Sequence, residues 1–248
     1  MSVAEHLVRS SHEQGITTLT LDSPASRNAL SAALVGELSD ALTACGKDDA
    51  VRAVVLTHTG NTFSAGADLR DPPPPEALVA LLRQIVTLDR PVVARITGHV
   101  RAGGLGLLGA CDISAASLDA SFAFTEVRIG VAPAVISLTV LPRTDPRATA
   151  RYYLTGERFD ADEAARIGLL TTAGDDVDEA LAPILDGLRR SSPQGLAETK
   201  RLLTAKVLEA FDRDATDLSA LSARLFSSAQ AREGMTAFLE RRDPAWVL

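Results

Sequence analysis

Aromatic and cysteine side chains are scarce in this chain of 248 residues, which has 4% aromatic residues and two cysteines. So few rings argue against a protein that binds nucleic acid by stacking bases. The net charge of −7 agrees, because such a surface repels phosphate backbones on average. Cys45 and Cys111 have no second Cys or His at metal-ligand spacing, so both are expected to be reduced packing residues. We therefore predict neither a nucleic-acid partner nor a metal.

Long apolar runs are also lacking. No segment approaches the roughly 18 uninterrupted apolar residues of a membrane span, and no basic segment followed by an apolar stretch opens the chain. We expect a cytoplasmic protein that makes no membrane contact. The apolar 46% is mostly Ala, Leu and Val, which is typical of an α/β enzyme long enough to bury a full core.

The first half of the chain alternates strand and helix patterns. Residues 7–11 and 16–21 predict a hairpin, and Ser31 is placed to open a helix. Continuous apolar runs at 53–57 and 91–96 predict buried strands, each followed by a turn that contains glycine. Four consecutive prolines precede a predicted helix from about Glu76 to Leu88, and two more strands are predicted from Cys111 to Ala115 and from Ser121 to Phe124.

Beyond Val135 the pattern becomes helical and strand signals nearly vanish. The predicted segments are 147–154, 160–167, 178–190, 193–203, 212–227 and 232–241. Charged and turn residues near 190 predict a boundary between a core of residues 1–190 and a helical oligomerisation region of residues 191–248.

The two glycine-containing turns are residues 63–68 and 98–106. Small or absent side chains let a ligand oxygen approach the main chain, and two amides that converge on one oxygen can stabilise negative charge there. As a pair, these turns suggest the two halves of an oxyanion hole. Taken alone, each turn could be no more than a tight corner between a strand and a helix.

The second turn also contains Gly104-Leu105-Gly106-Leu107-Leu108-Gly109, which matches the glycine spacing of a dinucleotide-binding site. That site needs a full helix after the glycines and an acidic residue at the end of the next strand. Here Cys111-Asp112-Ile113 follows at once, so the glycine segment itself is expected to form a short helix, and redox chemistry with a nucleotide is disfavoured.

Four segments resemble the crotonase superfamily of enoyl-CoA hydratases and isomerases. They are residues 63–69, the glycine turn that ends in 111–113, residues 122–126 with the glycine at 130, and residues 237–242. The resemblance covers almost the whole chain. It implies an α/β fold, a spiral of ββα units followed by helices that pack subunits into a homotrimer or a dimer of trimers. It also implies an acyl-CoA substrate and no metal or redox cofactor.

Carried over by motif position, the resemblance assigns the oxyanion-hole amides to Ala65 and Gly103 and the proton transfer to Glu126. Apolar neighbours of Glu126 could raise its pKa, as an acid/base requires. Glu126 matches the second catalytic glutamate of the two-glutamate hydratases, and the position that matches their first catalytic glutamate is Gly106. We expect this glycine to leave room for a bulkier or charged acyl group.

Further residues match positions where the superfamily contacts its substrate. Arg27 and Arg70 could lie near the CoA phosphates or adenine, although either could be an ordinary surface arginine. His99 could line the acyl pocket, and Asp68 is expected to brace a loop. The candidate substrate-binding set is Arg27, Ala67, Asp68, Arg70, His99, Phe238 and Arg241, of which the last two could reach the CoA of a neighbouring subunit.

Several reactions stay open. A single carboxylate resembles the arrangement of Δ3,Δ2-enoyl-CoA isomerases. Residues 103–108 and 125–137, however, resemble a bacterial methylglutaconyl-CoA hydratase subgroup, so hydration is the first expectation. An acyl-CoA hydrolase or decarboxylase, or a catalytically silent acyl-CoA-binding paralogue, could share the same oxyanion hole.

Overall fold

A computed structural model describes residues 6–248 and contains two sheets. The strands in chain order are β1 Val8–Glu13, β2 Ile16–Leu21, β3 Ala53–His58, β4 Thr62–Ser64, β5 Val92–Ile96, β6 His99–Arg101, β7 Ile113–Ser117, β8 Ser121–Ala123, β9 Phe159–Asp160 and β10 Thr172–Gly174. The larger sheet has the order β1-β2-β3-β5-β7-β10 and the smaller one β4-β6-β8-β9. From β3 onward, successive strand pairs therefore contribute one strand to each sheet.

This alternation produces a spiral. The strand pairs β3/β4, β5/β6 and β7/β8 each place one strand in the large sheet and the next in the small sheet, and neighbours from successive pairs are parallel. Only the edge pairs β1/β2 and β8/β9 are antiparallel among the strands of residues 6–248. Parallel neighbours need crossover connections, which helices supply. The expected spiral of ββα units is thus present.

The helices follow in the order α1 Ala32–Lys47, α2 Pro75–Thr87, α3 Gly103–Ala110, α4 Ser137–Val140, α5 Pro146–Thr155, α6 Ala161–Arg166, α7 Val177–Arg190, α8 Pro193–Phe226 and α9 Ala229–Glu240. Ser31 caps α1, because its side chain accepts a hydrogen bond from the amide of Leu34. Pro75 stands in the first turn of α2, where a missing amide costs nothing. The glycine segment forms the short helix α3, as predicted, and not a dinucleotide-binding loop.

Three sequence-based expectations differ from the structure. The segments predicted at 193–203 and 212–227 belong to one helix of 34 residues, α8, because no Gly or Pro interrupts the residues between them and Val207 and Phe211 are buried there. The strands β4, β6, β9 and β10 were not predicted, since runs of two or three residues are too short to show a period. The strand predicted at Cys111 begins at Ile113, because Cys111 ends α3.

Helix α8 is fastened to the core by a buried ion pair. Nζ of Lys200 lies 2.7 Å from Oδ2 of Asp112 and donates hydrogen bonds to the carbonyls of Ile85 and Arg90. The same Asp112 oxygen accepts from the amide of Val92, at the start of β5. The pair therefore ties α8 to the end of α2 and to the large sheet. No helix of residues 6–248 is long and apolar enough to cross a membrane.

Candidate active site

The first glycine turn follows β4 and lies against the residues before α1. Gly66 adopts a φ of +92°, which favours glycine. The amide of Leu30 donates to the carbonyl of Gly66, and the amide of Asp68 donates to the carbonyl of Leu30. In such a parallel bridge the residue between the two bonds, here Ala67, points its own amide away from its partner strand.

The structure corrects the expectation for Ala65. Its amide donates to the carbonyl of Arg27 at 3.0 Å, so this donor is already used in holding the turn. The amide of Ala67 has no protein acceptor among residues 6–248. The free donor of the first turn is therefore two residues further along the chain than the motif match placed it.

The second turn brings Gly103 against the first. A Cβ on Gly103 would stand 3.5 Å from the amide nitrogen of Ala67, and a Cβ on Gly66 would stand 3.3 Å from the amide nitrogen of Gly103. Gly103 is the first residue of α3, where the helix offers no acceptor for its amide. Two glycines thus let the backbones touch, and the unused amides of Ala67 and Gly103 lie side by side.

Ala102, which precedes α3, has φ +45° and ψ −120°. An L-residue in this region is strained, and such strain persists only where the surroundings hold it in place. The amide of Ala102 donates to the carbonyl of Ala123 in β8, which fixes the turn from the other side. The strained residue therefore directly precedes Gly103, the residue with the unused amide.

Glu126 begins a short 3-10 helix, Glu126–Ile129, directly after β8. Its side chain is buried, with 7% of the residue exposed, and Oε2 has no hydrogen-bond partner among residues 6–248. Burial raises its pKa from 4.5 to about 7, because the charged form loses its hydration. The shift expected from its apolar neighbours is present, and near neutral pH the group can both take up and release a proton.

Helix α9 supports this segment from behind, a contact that the sequence did not reveal. A Cβ on Gly234 would stand 2.5 Å from the carbonyl oxygen of Ile129, and a Cβ on Gly130 would stand 2.7 Å from the carbonyl oxygen of Gln230. Two glycines therefore bring α9 against the turn that carries Glu126. Gly130 in the turn and Gly234 in α9 are the sequence signal that could have indicated this contact.

The space beside Gly106 is filled. A Cβ on Gly106 would stand 2.6 Å from Cγ2 of Ile136 and 3.4 Å from Cδ1 of Leu82. Ile136 is itself buried. The expectation that this glycine leaves room for a larger acyl group is therefore wrong, since a protein side chain occupies the position toward which a glutamate would project.

His99 lies on the other face of the small sheet. Val100 between His99 and Arg101 is buried against Gly104 of α3, and alternate side chains of a strand point to opposite faces. Nδ1 of His99 lies 3.0 Å from the hydroxyl of Ser121, which also accepts from Arg101. Burial and the charge of Arg101 lower the pKa of His99. His99 therefore faces away from α3, which carries the Gly103 amide, and its place in the acyl pocket stays a prediction.

The remaining candidates surround the first turn or lie on α9. Asp68 braces its loop as expected, because its Oδ1 accepts from the amide of Arg70 at 2.9 Å. The side chains of Arg27 and Arg70 are exposed. Phe238 is 61% exposed, and Arg241 ends α9 with a φ of +56°. The substrate contacts predicted for Arg27, Asp68, Arg70, Phe238 and Arg241 stay predictions.

In the part of the chain that the structure describes, no group of three or more His, Cys, Asp or Glu side chains is placed to hold a metal ion. The cysteines Cys45 and Cys111 are free and buried. Among residues 6–248, the two glycine turns and the segment after β8 leave unused the amides of Ala67 and Gly103 and Oε2 of Glu126.

Comparison with known proteins shows the family of this chain. The family model for enoyl-CoA hydratase/isomerase matches residues 11–247. An enoyl-CoA hydratase from Mycobacterium avium has a crystal structure that superposes with a TM-score of 0.92 at 53% identity, covering 98% of this chain and 100% of that one. The crotonyl-CoA hydratase of Syntrophomonas wolfei is 30% identical over 95% of both chains. The 2,3-dehydroadipyl-CoA hydratase of Escherichia coli is 28% identical, over 94% of this chain and 95% of its own. With this fold and these relatives, the chain belongs to the enoyl-CoA hydratase/isomerase family of the crotonase superfamily.

Proposed function

We propose that the protein adds water across the 2,3 double bond of an enoyl-CoA thioester. The observation that carries the proposal is Glu126, a buried carboxylate with an oxygen that no protein group satisfies and a pKa of about 7. Buried polar atoms are nearly always partnered, so this oxygen has a ligand or water as its natural partner. Family membership supplies the acyl-CoA.

The amides of Ala67 and Gly103 hold the thioester oxygen in this proposal. Their donation polarises the carbonyl, so that electrons from the double bond can flow toward the oxygen as an enolate forms. The oxygen of water bonds to C3 while Glu126 accepts its proton, and Glu126 then returns that proton to C2. Water is added overall, and the carboxylate ends unchanged. Neither a metal nor a redox cofactor takes part.

The acyl group proposed first is a branched one, as in 3-methylglutaconyl-CoA. Support comes from the resemblance of residues 103–108 and 125–137 to the methylglutaconyl-CoA hydratase subgroup. The Escherichia coli relative is named for a dehydroadipyl-CoA, and the Syntrophomonas wolfei relative for crotonyl-CoA. Hydratases of this family thus carry names of quite different acyl groups, and a straight-chain substrate is the alternative.

Isomerisation of a 3-enoyl-CoA to a 2-enoyl-CoA is the second candidate function. The observation in its favour is Ile136, which fills the space beside Gly106 and leaves Glu126 without a second carboxylate. One carboxylate can move a proton along the acyl chain without any positioned water. The same residues would then serve a different reaction.

The deciding experiment is incubation with 2-enoyl-, 3-enoyl- and 3-methylglutaconyl-CoA, with products identified by mass and chromatography. Hydration predicts a product 18 mass units heavier, and isomerisation predicts a product of equal mass and different retention. Free CoA or loss of CO₂ would indicate a hydrolase or a decarboxylase. Acyl-CoA binding without any product would indicate a silent paralogue and contradict the proposal.

We further propose a homotrimer or a dimer of trimers that forms through the C-terminal helices. Three apolar side chains on α8 and α9 are 61–80% exposed, namely Leu202, Leu203 and Phe238. Exposed apolar patches mark contacts with other proteins, here a second copy of this chain. A monomeric mass at micromolar concentration in sedimentation equilibrium would contradict the assembly. The boundary near residue 190 and the cytoplasmic location stay predictions.

A further inference from the structure

Tyr153 lies close to Glu126 although no motif singles it out. Its ring packs against Phe124, two residues before Glu126, with the ring centroids 4.5 Å apart. Burial raises the pKa of the Tyr153 phenol, and the nearby negative charge of Glu126 raises it further. The phenol therefore stays protonated and faces the electric field of the Glu126 carboxylate.

Ser137 at the start of α4 lies beside this phenol. Its hydroxyl donates to the carbonyl of Pro133 at 2.7 Å, and its Oγ is 3.4 Å from the hydroxyl of Tyr153. A serine hydroxyl has one proton, and the shorter bond to Pro133 uses it. The proton of Tyr153 is thus free to be donated either to Ser137 or to a molecule in the site.

The same turn accounts for the missing carboxylate. Ile136 fills the space beside Gly106, and the next residue, Ser137, presents the hydroxyl. A second carboxylate near Glu126 would raise the pKa of one of the two groups by like-charge repulsion, whereas two hydroxyls carry no charge. Ile136 therefore takes the space of a second carboxylate, and the neighbouring Ser137 offers a neutral hydroxyl.

We propose that the hydroxyls of Tyr153 and Ser137 form the second anchor of the reacting water, opposite Glu126, in place of a second carboxylate. The inference rests on the proposed hydration and names what holds its water. Tyr153 donates to the water oxygen, and Oε2 of Glu126 accepts one of the water protons. The oxygen then bonds to C3, and Glu126 passes the proton to C2. Tyr153 keeps its own proton throughout.

The test compares Tyr153→Phe with Tyr152→Phe. Tyr152 is the matched control, because it is the neighbouring tyrosine of α5 and its hydroxyl donates to Glu163, away from Glu126. Each variant is assayed for hydration of the 2-enoyl-CoA that the wild type prefers, for binding of saturated butyryl-CoA, and for exchange of the α-protons of a 3-enoyl-CoA in D₂O. Exchange needs Glu126 and no positioned water.

We expect Tyr153→Phe to lower kcat for hydration at least tenfold, with the Kd for butyryl-CoA and the exchange rate within threefold of the wild type. Tyr152→Phe keeps all three values. Ser137→Ala is the second variant, used if Tyr153→Phe does not fold, and it lowers kcat in the same selective way. Ser137→Thr, which keeps a hydroxyl, restores part of the loss.

Three outcomes would overturn the inference. Undiminished hydration by Tyr153→Phe and Ser137→Ala contradicts it and leaves the proposed function intact. If hydration and exchange are lost in parallel, Tyr153 acts on Glu126 itself and not on the water. A wild type that binds butyryl-CoA but hydrates none of the 2-enoyl-CoA thioesters contradicts the proposed function, and the inference with it.

Discussion

Two buried ionisable sites in this protein differ in how completely they are satisfied. Lys200 is 4% exposed, yet its ammonium group meets one carboxylate and two carbonyls. Glu126 is 7% exposed, and its Oε2 meets no protein group among the described residues. Burial lowers the pKa of Lys200 although Asp112 opposes the shift, and burial raises the pKa of Glu126 with only a backbone hydrogen bond in opposition.

The difference shows that the Lys200 pair serves the fold, whereas Glu126 is left available for a reaction. A buried charge that is fully partnered fixes the elements that bring the partners together, here α8 and the large sheet. A buried charge without a partner costs stability, and a protein keeps it where the charge is used. The four changes below test this comparison, from the largest expected effect to the smallest.

Glu126→Gln should abolish turnover and leave acyl-CoA affinity nearly intact, because the amide keeps the shape but cannot carry the proton. We expect a loss of about 100-fold to 10,000-fold in kcat, the range of a general acid/base. Glu163→Gln is the control, since Glu163 is already partnered by Tyr152 and Arg166. More than about a tenth of the wild-type kcat in steady-state assays of Glu126→Gln would remove Glu126 from the mechanism.

Lys200→Met should destabilise the fold by about 3–5 kcal/mol, because Asp112 is left buried without its counter-ion. Urea unfolding at pH 7 and fixed protein concentration measures this loss. The control is the double variant Lys200→Met with Asp112→Asn, which removes both charges and should recover part of the stability. If the double variant is less stable than the single one, the buried charge on Asp112 is not the cause.

The stability of the wild type should fall with rising pH on account of Glu126. Its pKa is about 7 in the folded state and 4.5 when solvated, so folding favours the protonated form. This contribution is fully present below pH 4.5 and is lost as the pH rises through 7, a total of about 3 kcal/mol. Glu126→Gln removes the dependence and should be more stable than the wild type at pH 8, and equal to it near pH 4.5.

Glu163→Gln gives the opposite sign in the same unfolding series. Hydrogen bonds from Arg166 and Tyr152 lower the pKa of Glu163 to about 2, so the folded state favours its charged form. Its contribution is present above pH 4.5 and is lost as the pH falls through 2.

A Glu126→Gln variant that is no more stable than the wild type at pH 8 would contradict the prediction for Glu126, because it would show that the Glu126 carboxylate is solvated.

The six strands β1, β2, β3, β5, β7 and β8 and the helices α1 and α2 could be predicted from the sequence because their signals are local. Alternation, capping by Ser31 and the continuous run at 53–57 each act over a few residues. The free amide could not be assigned reliably, since it depends on which neighbour of Gly66 pairs with Arg27 or Leu30 across the turn. Likewise, Ile136 meets Gly106 only after folding, 30 residues away along the chain.

Gly106→Glu tests whether Ile136 has closed the second carboxylate position. A side chain at this point meets Ile136 at 2.6 Å, so the new residue must displace buried apolar groups, and overpacking of this kind costs about 1–3 kcal/mol. A second carboxylate would also be buried without a counter-ion. We expect hydration of crotonyl-CoA to stay unchanged or fall, and the unfolding midpoint in urea to drop.

The matched control is Gly36→Glu, the same substitution on α1, where a Cβ meets nothing within 4 Å. Replacing an exposed helical glycine stabilises a helix by a few tenths to about 1 kcal/mol, so this variant should gain stability and keep its activity. The two variants then add the same side chain at a closed, buried position and at an open, exposed one. A tenfold or greater rise in kcat/KM for crotonyl-CoA in Gly106→Glu would show that Ile136 moves aside at little cost and that a second carboxylate can act beside Glu126.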